Sequence, residues 1–519
     1  MNFNKKLAVA VSGAVLLMVG QVAMADSTSD IVDALVGKGV LTEEEGKLIT
    51  KGHESKTKVT PVVKEKDGAF TLEDAKGRNA ITLTGRMHLD YRQNNLDLYN
   101  ATDNDRDSAS AADAWALRRA RIGVKGKFAK DFNYEIIGNL PGTATVDVAY
   151  VDYAKFGAAK LRLGKFKQPF NLEEQTSSNN IDFMERSYVN QIAPAKKIGA
   201  MIFGEPVKGF TYAASTYTMN DTERDQTHDK ANFAGRTTLN FAELFENKDA
   251  IMHVGLAGFD NEYNVQPTTS SGAQGDTSHV ARANVLAFRT PGQGLSSIFR
   301  AQIGGAAVGT ATLNTQGGTS NQTAQVKSNA VGLEGALALK NFKLQGEFAR
   351  SNFKGDYKNS TESIDMDAKM YYGEVMWLAT GEKYADAYKG GAFGSIKPKN
   401  NFDLDKNQWG ALEFGLRAER FTVDSIDASS NLSLGTRVQG TSNCNGSGMK
   451  EATTEATIDG CKSTATTYTA GLKWILNPNA MIKLNYSTTN FGNDFKYYDV
   501  AEKVLNKENL LMMRTQFTF

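Results

Sequence analysis

The sequence predicts an all-β fold, a transmembrane antiparallel β-barrel. Three observations predict it: the chain opens with an export signal, apolar and polar residues alternate from residue 80 to the end, and the connections alternate between short turns and long polar loops. This pattern is typical of outer-membrane barrels of Gram-negative bacteria. We therefore expect a signal peptide (residues 1–25), a periplasmic helical segment with a linker (26–79) and the barrel (80–519).

The export signal has the three parts of a secretory signal peptide. Lys5 and Lys6 precede an apolar run, and small residues at positions 23 to 25 provide a cleavage site. A membrane helix is the competing interpretation, but polar residues interrupt the run. No later segment has the roughly 18 uninterrupted apolar residues that a spanning helix needs. The chain has 59 basic and 58 acidic residues, so its charge gives no support for a nucleic-acid partner.

Residues 26–79 precede the alternating region. Apolar residues share one face of a short helix, and Thr42 followed by Glu45 fits a capping box that begins a second helix. Residues 51–77 are charged and contain few apolar side chains. We interpret them as a linker, and two alternatives stay open: a periplasmic spacer or oligomerisation arm, and a flexible tail.

The strands are predicted from period-two alternation. In the first of them, Ile81 and Met87 face one way, whereas Arg86 and His88 face the other. The second strand has Arg119 and Arg121 on one face, and Arg118 falls in the apolar phase, so it needs a bulge, a rim position or a partner. The alternation recurs at residues 134–140, 146–156, 161–166, 210–219, 233–241, 252–259, 280–288, 331–339, 342–353, 370–378, 409–421, 468–475, 481–491 and 510–519.

Closure of the sheet follows from the lipid environment. In a bilayer every backbone N–H and C=O must be paired, so a sheet can span it as a closed barrel without edges. The apolar phase then faces lipid and the charged phase lines the lumen. A soluble β-sandwich or solenoid also explains the alternation, but it explains neither the loop lengths nor the last strand. That strand ends on Phe519, which resembles the recognition signal of the barrel assembly machinery.

One long stretch interrupts the strand pattern. After the strand at residues 161–166, roughly thirty polar and charged residues show no clear alternation. Large apolar residues are spaced among them and favour an ordered loop: Phe170, Ile181, Phe183, Met184 and Tyr188. Loops of this length are usually functional or disordered. Inside a barrel this loop would narrow the lumen; the alternative is an ordinary surface loop.

Several motifs resemble the family of phosphate- and polyphosphate-selective porins, porins O and P, over most of residues 80–519. They are LTGRMHLDY, ALRRARIGVKG, LRLGKFKQPFNLEEQTSS, FMERS, GEVMWLATGE with AFGSIKPKNNFD, and the closing strand. The resemblance implies sixteen strands, a homotrimer and a third external loop folded into the pore. It also implies an outer-membrane location, in contact with lipopolysaccharide and other outer-membrane lipid.

The resemblance implies roles for single residues. Basic pore positions match Arg86, Arg118 and Arg119, an acidic one matches Asp147, and the loop serines match Ser177 and Ser178. Two positions depart from the family: Glu174 stands where the loop lysine is expected, and Asn133 replaces a second lysine. We therefore expect Glu174 to lie in the constriction and to weaken anion binding. The candidate pore-lining set is Arg86, Arg118, Arg119, Arg121, Asp147, Lys165, Lys167, Glu174, Ser177, Ser178 and Arg186.

The sequence thus predicts a passive diffusion channel for small hydrophilic solutes, with a preference for inorganic anions such as phosphate. A general or carboxylate- or sugar-permeable porin is the alternative, and a surface-binding barrel a more distant one. The five histidines lack a recognisable catalytic setting, and we expect no enzyme activity, cofactor or metal site. Cys444 and Cys461 lie in one polar run of an exported chain, so we expect them to form a disulfide.

Overall fold

A computed structural model describes residues 27–57, 60–66, 68–95, 113–219, 230–265, 283–292, 298–303, 324–357, 363–428, 437–439, 449–451, 461–496 and 504–519. It confirms the predicted fold class, a closed antiparallel β-barrel of sixteen strands. The expected signal peptide and Cys444 lie outside the described residues, as does the side chain of Cys461, so both expectations stay predictions. In the part of the chain that is described, no helix is long and apolar enough to cross a membrane.

The barrel strands are long and follow one another along the chain. They are β3 Ala80–Asn94, β4 Ala114–Phe128, β5 Phe132–Asn139, β6 Thr145–Phe156, β7 Ala159–Lys167, β8 Lys196–Val207, β9 Phe210–Tyr217, β10 Asn232–Asn240, β11 Ala250–Val265, β14 Ala324–Leu339, β15 Phe342–Tyr357, β16 Ser363–Leu378, β19 Ala411–Ala428, β22 Cys461–Asn477, β23 Ala480–Lys496 and β24 Val504–Thr518.

Shorter elements accompany them. The strands are β1 Val62–Lys66, β2 Ala69–Glu73, β12 Ala283–Phe288, β13 Phe299–Ile303, β17 Tyr388–Lys389, β18 Ala392–Phe393, β20 Arg437–Gln439 and β21 Met449–Glu451. The helices are α1 Ser27–Gly37, α2 Glu43–Thr57, α3 Leu172–Gln175 and α4 Phe241–Leu244, with 3₁₀ turns at Tyr188–Ile192 and Tyr384–Ala387. The segment between β7 and β8, residues 168–195, is called the inner loop below.

The strands pair in antiparallel order around the barrel. Each strand from β6 onward pairs with the next barrel strand, and the last strand returns to the first: Leu510 of β24 lies opposite Asn94 of β3, and Thr518 lies opposite Arg86. The C-terminal strand therefore makes the closing contact of the sheet.

The chain divides into two compact units, residues 1–84 with 123–135 and residues 85–122 with 136–519. In the first, Thr42 and Glu45 form the predicted capping box: the Thr42 N–H donates to the Glu45 carboxylate at 2.9 Å, and the Glu45 N–H donates to the Thr42 hydroxyl at 3.2 Å. These bonds hold the pKa of Glu45 below its ordinary value. Strands β1 and β2 form a hairpin within the stretch interpreted as a linker, and Thr71 pairs with Thr82 of β3.

The second unit carries one barrel strand that the alternation did not indicate. Strand β8 begins at Lys196, within the stretch that was interpreted as lacking strands. Ile198 and Ile202 are exposed on its outer face, whereas Met201 is buried on the other. Both phases are apolar or small, so the sequence lacks the polar alternation of the other strands.

The stretch at residues 280–288 was predicted to be a barrel strand, and this prediction was wrong. It contains β12, which forms a separate sheet with β13, β20 and β21. Its Phe288 ring stacks on Phe421 at 4.5 Å and meets Tyr188 of the inner loop edge-on at 6.3 Å. Strand β12 is apolar because it packs against the inner wall and the inner loop.

This packing reverses the expected distribution of polarity at one end of the wall. On β16, Ile364 and Met366 are buried inside, whereas Asp365 and Asp367 are on the outer face. The expectation that the apolar phase always faces lipid is wrong there. The reason is that apolar loop residues fill the interior at this level.

The connection between β16 and β19, residues 379–410, lies at the end where other described connections are short turns, for example at residues 340–341. It folds back against the inner wall. The Tyr384 hydroxyl donates to Glu413 at 2.6 Å, and the Tyr388 hydroxyl lies 2.6 Å from the Nδ1 atom of His253. The segment therefore covers the inner side of strands β11 and β19.

Candidate functional site

The start of the inner loop is fixed by one wall carboxylate. The N–H groups of Leu172 and Glu173 donate to Glu347 on β15 at 3.1 and 2.8 Å. The side-chain oxygen of Asn171 accepts the N–H of Glu174 at 3.1 Å and caps the short helix α3. The first turn of the loop is thereby bound to the inside of the barrel.

The middle of the inner loop is bound by cations of the later strands. Asp182 pairs with Lys343 on β15. The ammonium of Lys483 on β23 donates to the carbonyls of Ile181 and Phe183 at 2.5 and 3.4 Å. Both lysines are fully buried, so these charge-assisted bonds are shielded from water. The expectation that the third loop folds into the barrel is confirmed.

The apolar residues of the inner loop anchor it as the sequence suggested. All five are almost completely buried: Phe170, Ile181, Phe183, Met184 and Tyr188. Tyr188 also donates its backbone N–H to Glu419 at 2.9 Å, and its ring meets Phe421 at 5.0 Å. The loop is an ordered wall of the site.

Arg86 of β3 meets the loop serines. Its guanidinium donates to the hydroxyl of Ser178 at 3.0 Å. Ser177 accepts the N–H of Asn179 at 3.4 Å, and the side chain of Asn179 lies 3.1 Å from the Nε2 atom of His88. These contacts bring together three of the candidate pore residues.

Arg118 and Arg119 of β4 converge on one loop carboxylate. Arg118 donates to Glu185 with two nitrogens, at 3.0 and 3.3 Å, and a nitrogen of Arg119 lies 3.7 Å from the same group. Arg514 of β24 reaches it at 2.7 Å. Glu185 is therefore the partner that Arg118 needed, and Arg119, in contact with His88 at 3.4 Å, is buried behind it.

Arg121 of β4 and Lys196 of β8 share Asp147. The Arg121 guanidinium lies 2.9 Å and the Lys196 ammonium 2.5 Å from the same oxygen, Oδ2. Arg121 also donates to the side-chain oxygen of Asn139 at 3.2 Å. Because one carboxylate faces two cations, this trio keeps a positive charge.

Lys167 and Arg186 hold the helical turn of the inner loop. Lys167 donates to the backbone carbonyls of Glu174 and Thr176. Arg186 donates to the carbonyls of Glu173 and Thr176 at 2.8 and 2.9 Å, and lies 3.5 Å from the Glu174 carboxylate. The Glu174 side chain is 4 % exposed, so it faces these cations more than the lumen.

Most of the predicted residues form one cluster, called the cation cluster below. Electrostatic interactions link its six basic and two acidic side chains, which are Arg86, Arg118, Arg121, Lys167, Arg186, Lys196, Asp147 and Glu174. Lys165 is half-buried two residues before Lys167 on the same strand. Arg119 lies in the buried layer behind the cluster.

Two kinds of residue at the site are not predictable from strand alternation. Lys196 belongs to the strand that was not recognised, so it had no assigned face. Glu185 lies in the loop without strand alternation, so the sequence assigns it no position and no partner. The cations that hold the loop lie in the inward phase of predicted strands and carry that signal in the sequence: Lys343, Arg417, Lys473, Lys483 and Arg514.

The barrel is closed, an anchored inner loop narrows its lumen, and a cation-rich cluster lies where loop and wall meet. These features define a porin, a diffusion channel of the outer membrane. The model of the family described as phosphate-selective porin O and P matches residues 81–519. The chain belongs to this family.

The chain is also similar to individual proteins and solved structures. The chain is 28 % identical to porin O of Pseudomonas aeruginosa over 380 residues, which cover 70 % of this chain and 77 % of the relative. Among solved structures, a loop L8 deletion mutant of OmpT from Vibrio cholerae is similar with a TM-score of 0.45 and 11 % identity, over 85 % of this chain and 100 % of that chain. An anion-selective porin from Comamonas acidovorans is similar with a TM-score of 0.44 and 11 % identity, over 85 % of this chain and 100 % of that chain.

Proposed function

We propose that this porin is selective for small inorganic anions, with phosphate among its solutes, and that it acts as a passive channel and not as an enzyme. The observation that carries the proposal is the cation cluster, whose six basic side chains outnumber its two carboxylates and Glu185, which pairs with Arg118. An anion that enters this part of the lumen meets a positive field, which the low-dielectric walls focus. The description of the family as phosphate-selective agrees with this chemistry.

The mechanism is exchange of hydration for weak protein contacts. Guanidinium and ammonium groups replace part of the water around an oxyanion, and the Ser178 hydroxyl beside Arg86 adds a further polar group. The carboxylates of Asp147 and Glu174 repel an anion and so limit how tightly it binds, which allows it to leave. The anchored inner loop keeps these groups in place and lowers the reorganisation that each passage requires.

The zero-current potential in a potassium chloride gradient tests the proposal. We expect the zero-current potential to have the sign of a channel that is more permeable to chloride than to potassium. We also expect the chloride current to fall when phosphate is added. Arg86→Gln should lower both effects. Arg350→Gln is the matched control, because Arg350 is largely exposed on the outer face of β15 and pairs with Asp367.

Other outcomes would select another function. A potential near zero, unaffected by phosphate, would contradict anion selectivity and leave the general or carboxylate- or sugar-permeable porin. Absence of conductance from a correctly folded barrel would support the surface-binding alternative.

We also propose that the mature protein starts after residue 25, is inserted by the barrel assembly machinery through its C-terminal strand, contacts lipopolysaccharide, and forms a homotrimer. The closing contacts of β24 support the role of that strand. A trimer should migrate as a heat-sensitive band in SDS. Identical monomer migration before and after boiling would contradict it.

A further inference from the structure

The position of Lys196 sets it apart from the other cations of the site. It is the first residue of β8, directly after the inner loop, and it lies opposite Lys167 in the sheet. Its side chain is 18 % exposed, and its ammonium is 2.5 Å from Asp147. It therefore stands where the inner loop joins the wall, and its side chain is not completely buried.

The donors of the neighbouring cations are largely engaged by the protein. Lys167 donates two N–H groups to the carbonyls of Glu174 and Thr176. Arg186 donates to the carbonyl of Glu173 and to the same Thr176 carbonyl, and it faces the Glu174 carboxylate. An ammonium has three donors. Within the described residues, the hydrogen-bonding partner that the structure gives Lys196 is Asp147, which it shares with Arg121.

We propose that Lys196 is a specificity-determining residue of the channel: its ammonium exchanges the bond to Asp147 for bonds to the oxygens of a passing oxyanion. Asp147 keeps Arg121 as its partner during the exchange, so no carboxylate is left without a counter-ion. The long, flexible lysine side chain suits this movement better than a guanidinium held by two partners. The inference rests on the proposed anion selectivity.

Lys196→Gln tests this role against a neighbour on the same strand. We expect the concentration of phosphate that halves the chloride current to rise about fivefold, from the loss of a unit charge about 5 Å from the solute in a largely aqueous setting. The zero-current potential should shift toward zero. Lys197→Gln is the matched control, because the Lys197 ammonium donates to the carbonyl of Met219 and is absent from the cation cluster. It should leave both quantities unchanged.

Two further variants keep the test decisive. Lys196→Arg preserves the charge and should keep most of the selectivity. Asp147→Asn should release Lys196 and lower the half-blocking phosphate concentration. Equal behaviour of Lys196→Gln and Lys197→Gln, or an unchanged phosphate block in Asp147→Asn, overturns the inference. A wild-type channel without anion preference would instead overturn the proposed function, so the two failures are distinguishable.

Discussion

Replacing Glu174 with glutamine removes a negative charge from the cation cluster and preserves the shape of the side chain. The carboxylate lies 3.5 Å from Arg186 and is almost completely buried. Lysine at this position would place another cation against Arg186 and Lys167 and disturb the start of the inner loop. Glutamine is therefore the informative substitution.

The expected magnitude follows from the geometry. An anion bound on the far side of the Arg186 guanidinium would be about 7 Å from the Glu174 carboxylate, where two unit charges repel by about 0.6 to 2.4 kcal/mol at effective dielectrics of 80 to 20. Salt and pore water bring the effect to the lower part of this range. Glu174→Gln should therefore strengthen phosphate block of the chloride current by about three- to tenfold.

The assay is current through single channels in planar bilayers, titrated with phosphate at constant ionic strength. Glu262→Gln is a suitable control, because that carboxylate pairs with Lys230 and lies outside the cation cluster. A Glu174→Gln channel with normal conductance and unchanged phosphate block would show that the field of Glu174 does not reach the ion path. The placement of the pore along this wall would then be wrong.

Three further results are expected. Lys483→Met should leave two loop carbonyls without their donor at a cost of about 2–4 kcal/mol, and produce noisy conductance and faster protease cleavage of the loop; quiet, protease-resistant channels would contradict this. Cys444 and Cys461 should resist alkylation in denatured, non-reduced protein, and full labelling of both would refute the disulfide. Thr42→Ala should destabilise α2 by about 1 kcal/mol, measured as faster amide exchange at Glu45, whereas Thr50→Ala should leave that amide unchanged.

The fold was predictable because the membrane restricts what a chain can do. Strands that cross lipid must pair on both sides, and that requirement turns a pattern such as Arg86 and His88 opposite Met87 into a closed barrel. The capping box of Thr42 and Glu45 was predictable for a different reason, since its bonds are local and depend on a spacing of three residues.

The two strand errors have one physical cause. Alternation predicts a barrel strand where one side meets lipid and the other meets a polar lumen. Strand β8 has Met201 and Phe203 in its inward phase, so its polarity does not alternate. Strand β12 has Val285 and Leu286 both buried, because it packs against the inner wall and the inner loop. Sequence polarity does not distinguish lipid from an apolar interior.

The candidate site was predictable as a set of charges but not as a set of pairs. Residues such as Arg86 and Arg121 were assigned to the lumen from strand phase, and the structure brings them into one cluster. Their partners come from distant parts of the chain. Glu185 reaches Arg118 across 67 positions, and Lys196 reaches Asp147 from a strand that the sequence did not reveal.

The contacts also separate two groups among the basic residues that line the inside of the barrel. Lys483 and Lys343 point inward and are completely buried, and their charges hold loop carbonyls and Asp182. Lys196 and Arg121 instead share Asp147, and both side chains stay partly exposed. The inner loop therefore packs over one group of cations and leaves Lys196 and Arg121 partly exposed. In the proposed function, selectivity depends on the partly exposed cations, and the buried cations keep the loop in the position that leaves them exposed.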